Sequence, residues 1–283
     1  MYEEQLVKEM RVWARRLPRY GTPRITDVLR RDGWWVNHKR IERLWRAEGL
    51  QVRGRARKRR RTGSSEQGFP RHRAEYPNHV WSYDFVFDRT EDGRRVKILS
   101  IVDEFTRECL ALVAARRIDS EGVIQALHRL VAERGAPVYI RSDNGPELTA
   151  HAVREWLGTA GSATLFIEPG SPWENPYVES FHGKLRDELL NCELFATLLE
   201  AQVLLEQYRI EYNEFRPHRS LDSLTPAEFA AQWTPDASSS SARRGQARFA
   251  RRYATLDRPT PTMQEATMPG RKVLPGNFKN GLS

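Results

Sequence analysis

Cysteine is nearly absent: Cys109 and Cys192 are the only two in 283 residues. Neither sits in a spacing that resembles a zinc pattern. Two thiols make no disulfide framework, so a reducing compartment is expected. No stretch of about 18 apolar residues occurs, which argues against a membrane-spanning helix. The first residues, Met1-Tyr2-Glu3-Glu4, are charged and do not read as a secretory signal. No internal repeat is present. Negative charge is scarce in one region only. Residues 1–70 hold 19 Lys and Arg against 8 Asp and Glu, and the remainder holds 27 against 29. The first quarter therefore carries a net +11 in a chain whose net charge is +9. That asymmetry points to a polyanion partner, most simply nucleic acid. A membrane surface fits less well, because no lipidation motif accompanies the charge.

The N-terminal quarter reads as three short helices. Leu6, Met10 and Trp13 recur at helical spacing over residues 2–16. Gly21-Thr22-Pro23 interrupts the pattern, and a second helix is expected from Ile25 to about Arg31. Asn37 suits an N-cap for a third, with Ile41, Leu44 and Trp45 inward. A short helix, a Gly-containing turn and a helix rich in Lys39, Arg40 and Arg43 read as a helix-turn-helix unit that contacts DNA. The plainer alternative is a basic three-helix bundle with solvated charges. Arg53 to Arg61 (RGRARKRRR), with Arg57, Lys58 and Arg59 at its centre, is expected to stay extended until it meets phosphates. The organisation expected is a helical domain over 1–52, a basic flexible linker over 53–75, a core over 76–230, and a disordered basic tail over 231–283.

From His79 the texture becomes that of an α/β domain. Strands are expected at His79–Asp88, Arg95–Val102, Glu108–Ala115, Val138–Arg141 and Ala163–Ile167. Helices are expected at Asp119–Arg134, His151–Ala160, Pro172 to about Leu190, and Leu198–Phe215. A meander followed by helical crossovers implies a mixed sheet with flanking helices.

Three acids stand in unusual company. Asp84 lies inside Trp81-Ser82-Tyr83-Asp84-Phe85-Val86. Asp143 closes another apolar strand before Asn144-Gly145. Glu179 falls on the helix after Asn175-Pro176, with 35 residues between it and Asp143. Acids among apolar residues are costly unless paired or holding a metal. Three of them suggest a magnesium site for phosphoryl chemistry, since two ions held by carboxylates can activate the attacking oxygen and stabilise the leaving one. Each acid alone has an ordinary explanation: a satisfied core carboxylate, an Asx-turn and an exposed helix acid.

The segments around these acids resemble the transposases of bacterial insertion sequences, in particular the downstream reading-frame product of the insertion-sequence 3 family. The matching pieces are Trp81 to Val86, Arg141 to Gly145 and Asn175 to Glu188. Tyr212 to Leu221, Leu224 to Phe229 and Asp32 to Ile41 match as well. The resemblance implies a ribonuclease H-like core of the retroviral-integrase type. It implies a triad of Asp84, Asp143 and Glu179 that binds Mg2+ or Mn2+, with two ions expected. The implied reaction is nicking at element ends followed by 3′-hydroxyl strand transfer. Lys184 and Arg186, on the helix of Glu179, become candidate DNA contacts. Implied partners are double-stranded DNA, further copies of the chain on that DNA, and the upstream reading-frame protein, separate or joined by frameshift. The implied location is the cytoplasm, at the nucleoid. Rival readings are a structure-specific nuclease on the same core and a non-catalytic DNA-binding subunit. Arg216, Pro217 and His218 are expected to fix a helix end, Trp173 and Tyr177 to pack, and His182 to have no required role.

Overall fold

The computed structural model describes residues 2–51, 73–142, 151–166 and 175–234. Three helices come first: α1 (Tyr2–Arg16), α2 (Thr22–Arg31) and α3 (His38–Ala47). Their apolar stripes close one small core that includes Leu6, Met10, Trp13, Ile25, Leu29, Ile41 and Trp45. α2 begins three residues before the expected start. Gly21 is its N-cap and Pro23 lies in its first turn, where the absent N–H would be unpaired anyway and the fixed φ suits the helix. The Gly-Thr-Pro break is thus the helix start itself. Asn37 caps α3, its side-chain oxygen accepting from the Lys39 N–H at 2.9 Å.

Five strands follow: β1 (Val80–Arg89), β2 (Arg95–Asp103), β3 (Cys109–Ala115), β4 (Tyr139–Ser142) and β5 (Ala163–Phe166). Their spatial order is β3-β2-β1-β4-β5. β1, β2 and β3 form an antiparallel meander, and β4 and β5 add in parallel on the β1 side. Helices α4 (Ser120–Arg134) and α5 (His151–Thr159) precede the two parallel strands. This is the mixed, ribonuclease H-like arrangement expected from the sequence.

Strand alternation separates the two sheet faces. Trp81, Tyr83, Leu99 and Ile101 pack with Val123 and Leu127 of α4. Val86, Ile98 and Val102 pack against α6 (Pro176–Leu185) and α7 (Leu198–Glu214), through Val178, Phe181, Leu185, Ala201 and Leu205. The one helix expected up to Leu190 is in fact α6 followed by a π-helical turn over Arg186–Leu190. A further helix, α8 (Pro226–Gln232), falls outside the sequence expectation. Its signal is nonetheless present. Thr225 Oγ1 accepts from the Glu228 N–H, and the Glu228 carboxylate accepts from the Thr225 N–H, a reciprocal capping box.

The helical unit is docked on these C-terminal helices. Trp13 stacks on Phe215, with ring centroids 5.6 Å apart. Arg19 and Arg24 meet Asp187 and Glu188 of the π-turn at 2.7 and 2.6 Å. Arg31 meets Glu228 of α8 at 2.7 Å. Three arginines of the basic unit are thus engaged by acids of the core. Arg57, Lys58, Arg59, Asp143, Trp173 and the tail from Asp236 lie outside the described residues.

Candidate active site

Asp84 lies midway along β1, the central strand. Alternation sends its side chain to the face that Val86 shares with α6. Its cross-strand partner on β2 is Ser100. Asp84 Oδ1 accepts the Phe85 N–H at 2.7 Å. Oδ2 lies 3.6 Å from His182 Nδ1. The other ring nitrogen, Nε2, is 2.5 Å from Ser100 Oγ. One α6 side chain therefore spans two directly opposed strand residues.

Glu179 stands three positions before His182 on α6, so the two share a face, ~4.5 Å apart along the axis. Desolvation raises the Glu179 carboxyl above its ordinary range. Burial, aided by the Arg186 charge, lowers the His182 imidazole to about 4, so the ring is neutral at pH 7.

The third acid follows β4. This strand pairs in parallel with β1, Ser82 opposite Arg141, and its last residue, Ser142, precedes Asp143 in the chain. A buried ion pair holds it. Arg141 Nε donates to Glu104 Oε1 at 2.8 Å, and the two side chains are 4% and 0% exposed. Ser82 Oγ donates to the same oxygen. Breaking such a pair leaves an uncompensated buried charge, so the contact ties β4 firmly to its neighbours.

Among the described residues no three or more His, Cys, Asp and Glu gather as a metal group. Asp143 lies outside those residues. The donors that are described fit a divalent cation. Asp84 and Glu179 offer hard carboxylate oxygens. The Glu179 shift arises from desolvation alone, a penalty that a neighbouring cation would relieve.

The expected basic residues are divided between α6, the π-turn and the helical unit. Lys184 Nζ donates to Ser180 Oγ at 2.8 Å. Burial and the Arg216 charge lower it to about 8. Arg186, on the π-turn, is exposed. Arg107 lies over the Tyr177 ring, 3.9 Å from its centroid. On α3, Lys39 is exposed, whereas Arg40 and Arg43 both donate to Glu3, at 2.9 and 2.8 Å. Trp35, in the turn before α3, is 95% exposed. Arg216 donates to Glu188 at 2.7 and 2.8 Å and holds the end of α7 to the π-turn. Burial and the Arg216 charge push His218 down to about 2.

Two of the three expected acids thus lie among the described residues. The sequence did not single out Ser100, Glu104 or Arg141, and it assigned His182 no role. The one available signal was a lone polar residue in the apolar run Ile98-Leu99-Ser100-Ile101-Val102.

Comparison with known proteins adds to this geometry. Residues 1–60 match a family described as an HTH-like domain. Residues 74–172 and 160–226 match two families, each described as an integrase core domain. The chain is 43% identical to an uncharacterised protein of insertion element IS407 from Burkholderia multivorans, over 76% of each chain. It is 28% identical to the transposase of insertion sequence element IS904 from Lactococcus lactis, over 75% of this chain and 87% of that one. It is 25% identical to transposase InsF of insertion sequence IS3A from Escherichia coli, over 77% and 78%. Among solved structures, it resembles a simian T-cell lymphotropic virus intasome with TM-score 0.49 and 16% identity, over 81% and 76%. The HTLV-2 integrase catalytic core domain in complex with magnesium matches with TM-score 0.44 and 19% identity, over 54% and 97%.

Proposed function

We propose, from the premise that this chain belongs to the insertion-sequence transposases of the IS3 family, that Asp84, Asp143 and Glu179 form its strand-cutting and strand-joining site. The chain is a transposase with an integrase core behind an HTH-like unit, and its chemistry is polynucleotidyl transfer. In the first step, water attacks phosphorus at an element end. A P–O bond to water forms, the bond to the 3′ oxygen breaks, and a free 3′ hydroxyl is left beside a 5′ phosphate. In the second, that hydroxyl attacks a target phosphodiester and displaces the target's 3′ oxygen. No bond to the protein forms in either step.

Asp84, Asp143 and Glu179 would hold Mg2+ or Mn2+, two ions in this reading, which supply activation of the attacking oxygen and stabilisation of the leaving one. β1 and α6 hold two of the acids on rigid elements. The Glu104–Arg141 pair steadies the strand that leads to the third. Lys184 and Arg186 bind phosphates beside the scissile bond. Lys39, Arg40 and Arg43 on α3, with Arg57, Lys58 and Arg59, track the duplex. The observation that carries this reading is the approach of His182, one turn beyond Glu179, to within 3.6 Å of Asp84. That approach supports a site shared by the acid of β1 and the acid of α6.

By the same proposal the chain works on double-stranded DNA, at element ends and target, as a homo-oligomer that pairs two ends. Its partner is the upstream reading-frame protein, separate or fused by frameshift, and its place is the bacterial cytoplasm at the nucleoid. Among the described residues no helix is long and apolar enough to cross a membrane.

The test uses a labelled element end in Mg2+ or Mn2+. Asp84→Asn, Asp143→Asn and Glu179→Gln each abolish nicking and joining while the thermal midpoint stays at the wild-type value. Wild-type joining by any one of them refutes the role of that acid.

A further inference from the structure

We propose that His182, backed by Ser100, is a positioning residue that holds the Asp84 carboxylate in the orientation from which it takes a divalent cation. This rests on the reading of Asp84 as a ligand of the transfer site.

Asp84 and Ser100 are directly opposed across β1 and β2. His182 reaches down from α6 onto both, with Nε2 2.5 Å from Ser100 Oγ and Nδ1 3.6 Å from Asp84 Oδ2. A serine hydroxyl has one proton to give. Two acceptors lie within its reach, His182 Nε2 at 2.5 Å and the Asp84 carbonyl oxygen at 3.1 Å. The Asp84 carboxylate beside Nδ1 favours the tautomer with the ring proton on Nδ1, and in that tautomer the hydroxyl proton goes to the nearer acceptor, Nε2. The other carboxylate oxygen, Oδ1, already accepts the Phe85 N–H at 2.7 Å. Oδ1 is thus held by a backbone donor, and Oδ2 faces the imidazole. At 3.6 Å the Nδ1 contact is longer than a hydrogen bond, and contacts of this kind tighten when the site is loaded.

The device has a second consequence. His182 and Glu179 ride on the same rigid helix, three residues apart. The ring that orients Asp84 thus moves with Glu179, and the spacing of the two acids is set by a single element. His182 is not itself a ligand in this arrangement, because both of its nitrogens face protein oxygens.

The test uses the full chain without DNA and Mn2+ as the probe, with binding followed by the electron paramagnetic resonance of free Mn2+. End joining is measured alongside as a function of Mn2+. His182→Ala weakens Mn2+ binding about tenfold, as loss of an outer-shell partner does. The half-saturating Mn2+ for joining rises by the same factor, and joining at saturating Mn2+ falls by much less. His182→Asn and His182→Gln, whose amides can still donate towards Asp84, regain part of the affinity. Ser100→Ala shifts binding in the same direction by a smaller factor, and it carries the test if His182→Ala does not fold. Unchanged Mn2+ binding and half-saturation in folded His182→Ala, or in Ser100→Ala where only that variant folds, overturns the proposal. So do amide variants no better than alanine. Asp84→Asn is the separate control. If it keeps wild-type Mn2+ binding and joining, the reading of the site itself fails, whatever the His182 variants do.

Discussion

Replacing Arg141 by methionine removes the cation from the most deeply buried ion pair that leads to the candidate site. In the wild type, Arg141 Nε donates to Glu104 Oε1 at 2.8 Å, with side chains 4% and 0% exposed. Burial already raises the Glu104 carboxyl, and the Arg141 charge opposes that shift. Without Arg141, Glu104 keeps the Ser82 hydroxyl as a donor and the weaker influence of the Arg107 charge but loses its hydrogen-bonded cation, and it must protonate or draw in water. Breaking a buried pair in this way costs about 3–5 kcal/mol. For a domain of this size that corresponds to a fall of about 6–20 °C in the thermal midpoint. Thermal unfolding by circular dichroism reads the loss. The double variant Arg141→Met, Glu104→Leu recovers most of it, because two apolar side chains leave no buried charge. The single variant also lowers joining at temperatures where it remains folded, since β4 leads into Asp143. An Arg141→Met midpoint within about 2 °C of wild type, less than 1 kcal/mol, would refute the assignment of this pair as the clamp on β4.

Glu188 accepts from both Arg24 and buried Arg216. Glu188→Gln is expected to cost about 3 kcal/mol by stranding the Arg216 charge, read as a lower urea midpoint; an unchanged midpoint rejects the joint. Lys184, lowered to about 8, should be acylated at pH 8 faster than the exposed lysines and protected by element-end DNA. Mass spectrometry of the labelled chain decides, and equal labelling with and without DNA argues against phosphate contact there. Stability should fall between pH 7.5 and 5. His182 and His218 stay neutral in the fold down to about 4 and about 2. Unfolded, they take up protons from pH 6.5 downward, so each costs about 2 kcal/mol by pH 5. Asp103, raised to about 6 by burial, takes up its proton first in the fold and offsets about 1 kcal/mol over the same range. Urea midpoints that are flat or rising on acidification contradict this. Thr225→Ala removes one half of the α8 capping box and should cost about 1 kcal/mol, measured in the same way.

Much of the local structure was legible because it depends on neighbours in sequence. The stripe of Leu6, Met10 and Trp13 placed a helix where α1 stands, and the helix expected over Asp119–Arg134 is α4. The Asn37 cap follows from groups two residues apart. Even α8, which went unread, had its start written in Thr225-Pro226-Ala227-Glu228. The π-turn was different. Asp187 and Glu188 face Arg19 and Arg24 of the helical unit, so its surroundings involve a partner more than 160 residues away in the chain.

The sequence by itself determined most of the helices and strands, the basic N-terminal quarter and the identity of the acids set among apolar residues. These follow from short-range periodicity and from the cost of burying charge. Only the tertiary structure decided that Ser100 lies opposite Asp84, that His182, 82 residues beyond Ser100, closes over both, and that Arg141 of β4 meets Glu104. Strand register and helix docking bring these groups together. Both arise from closing long loops of chain around two apolar faces, and no local pattern encodes which polar residues then meet.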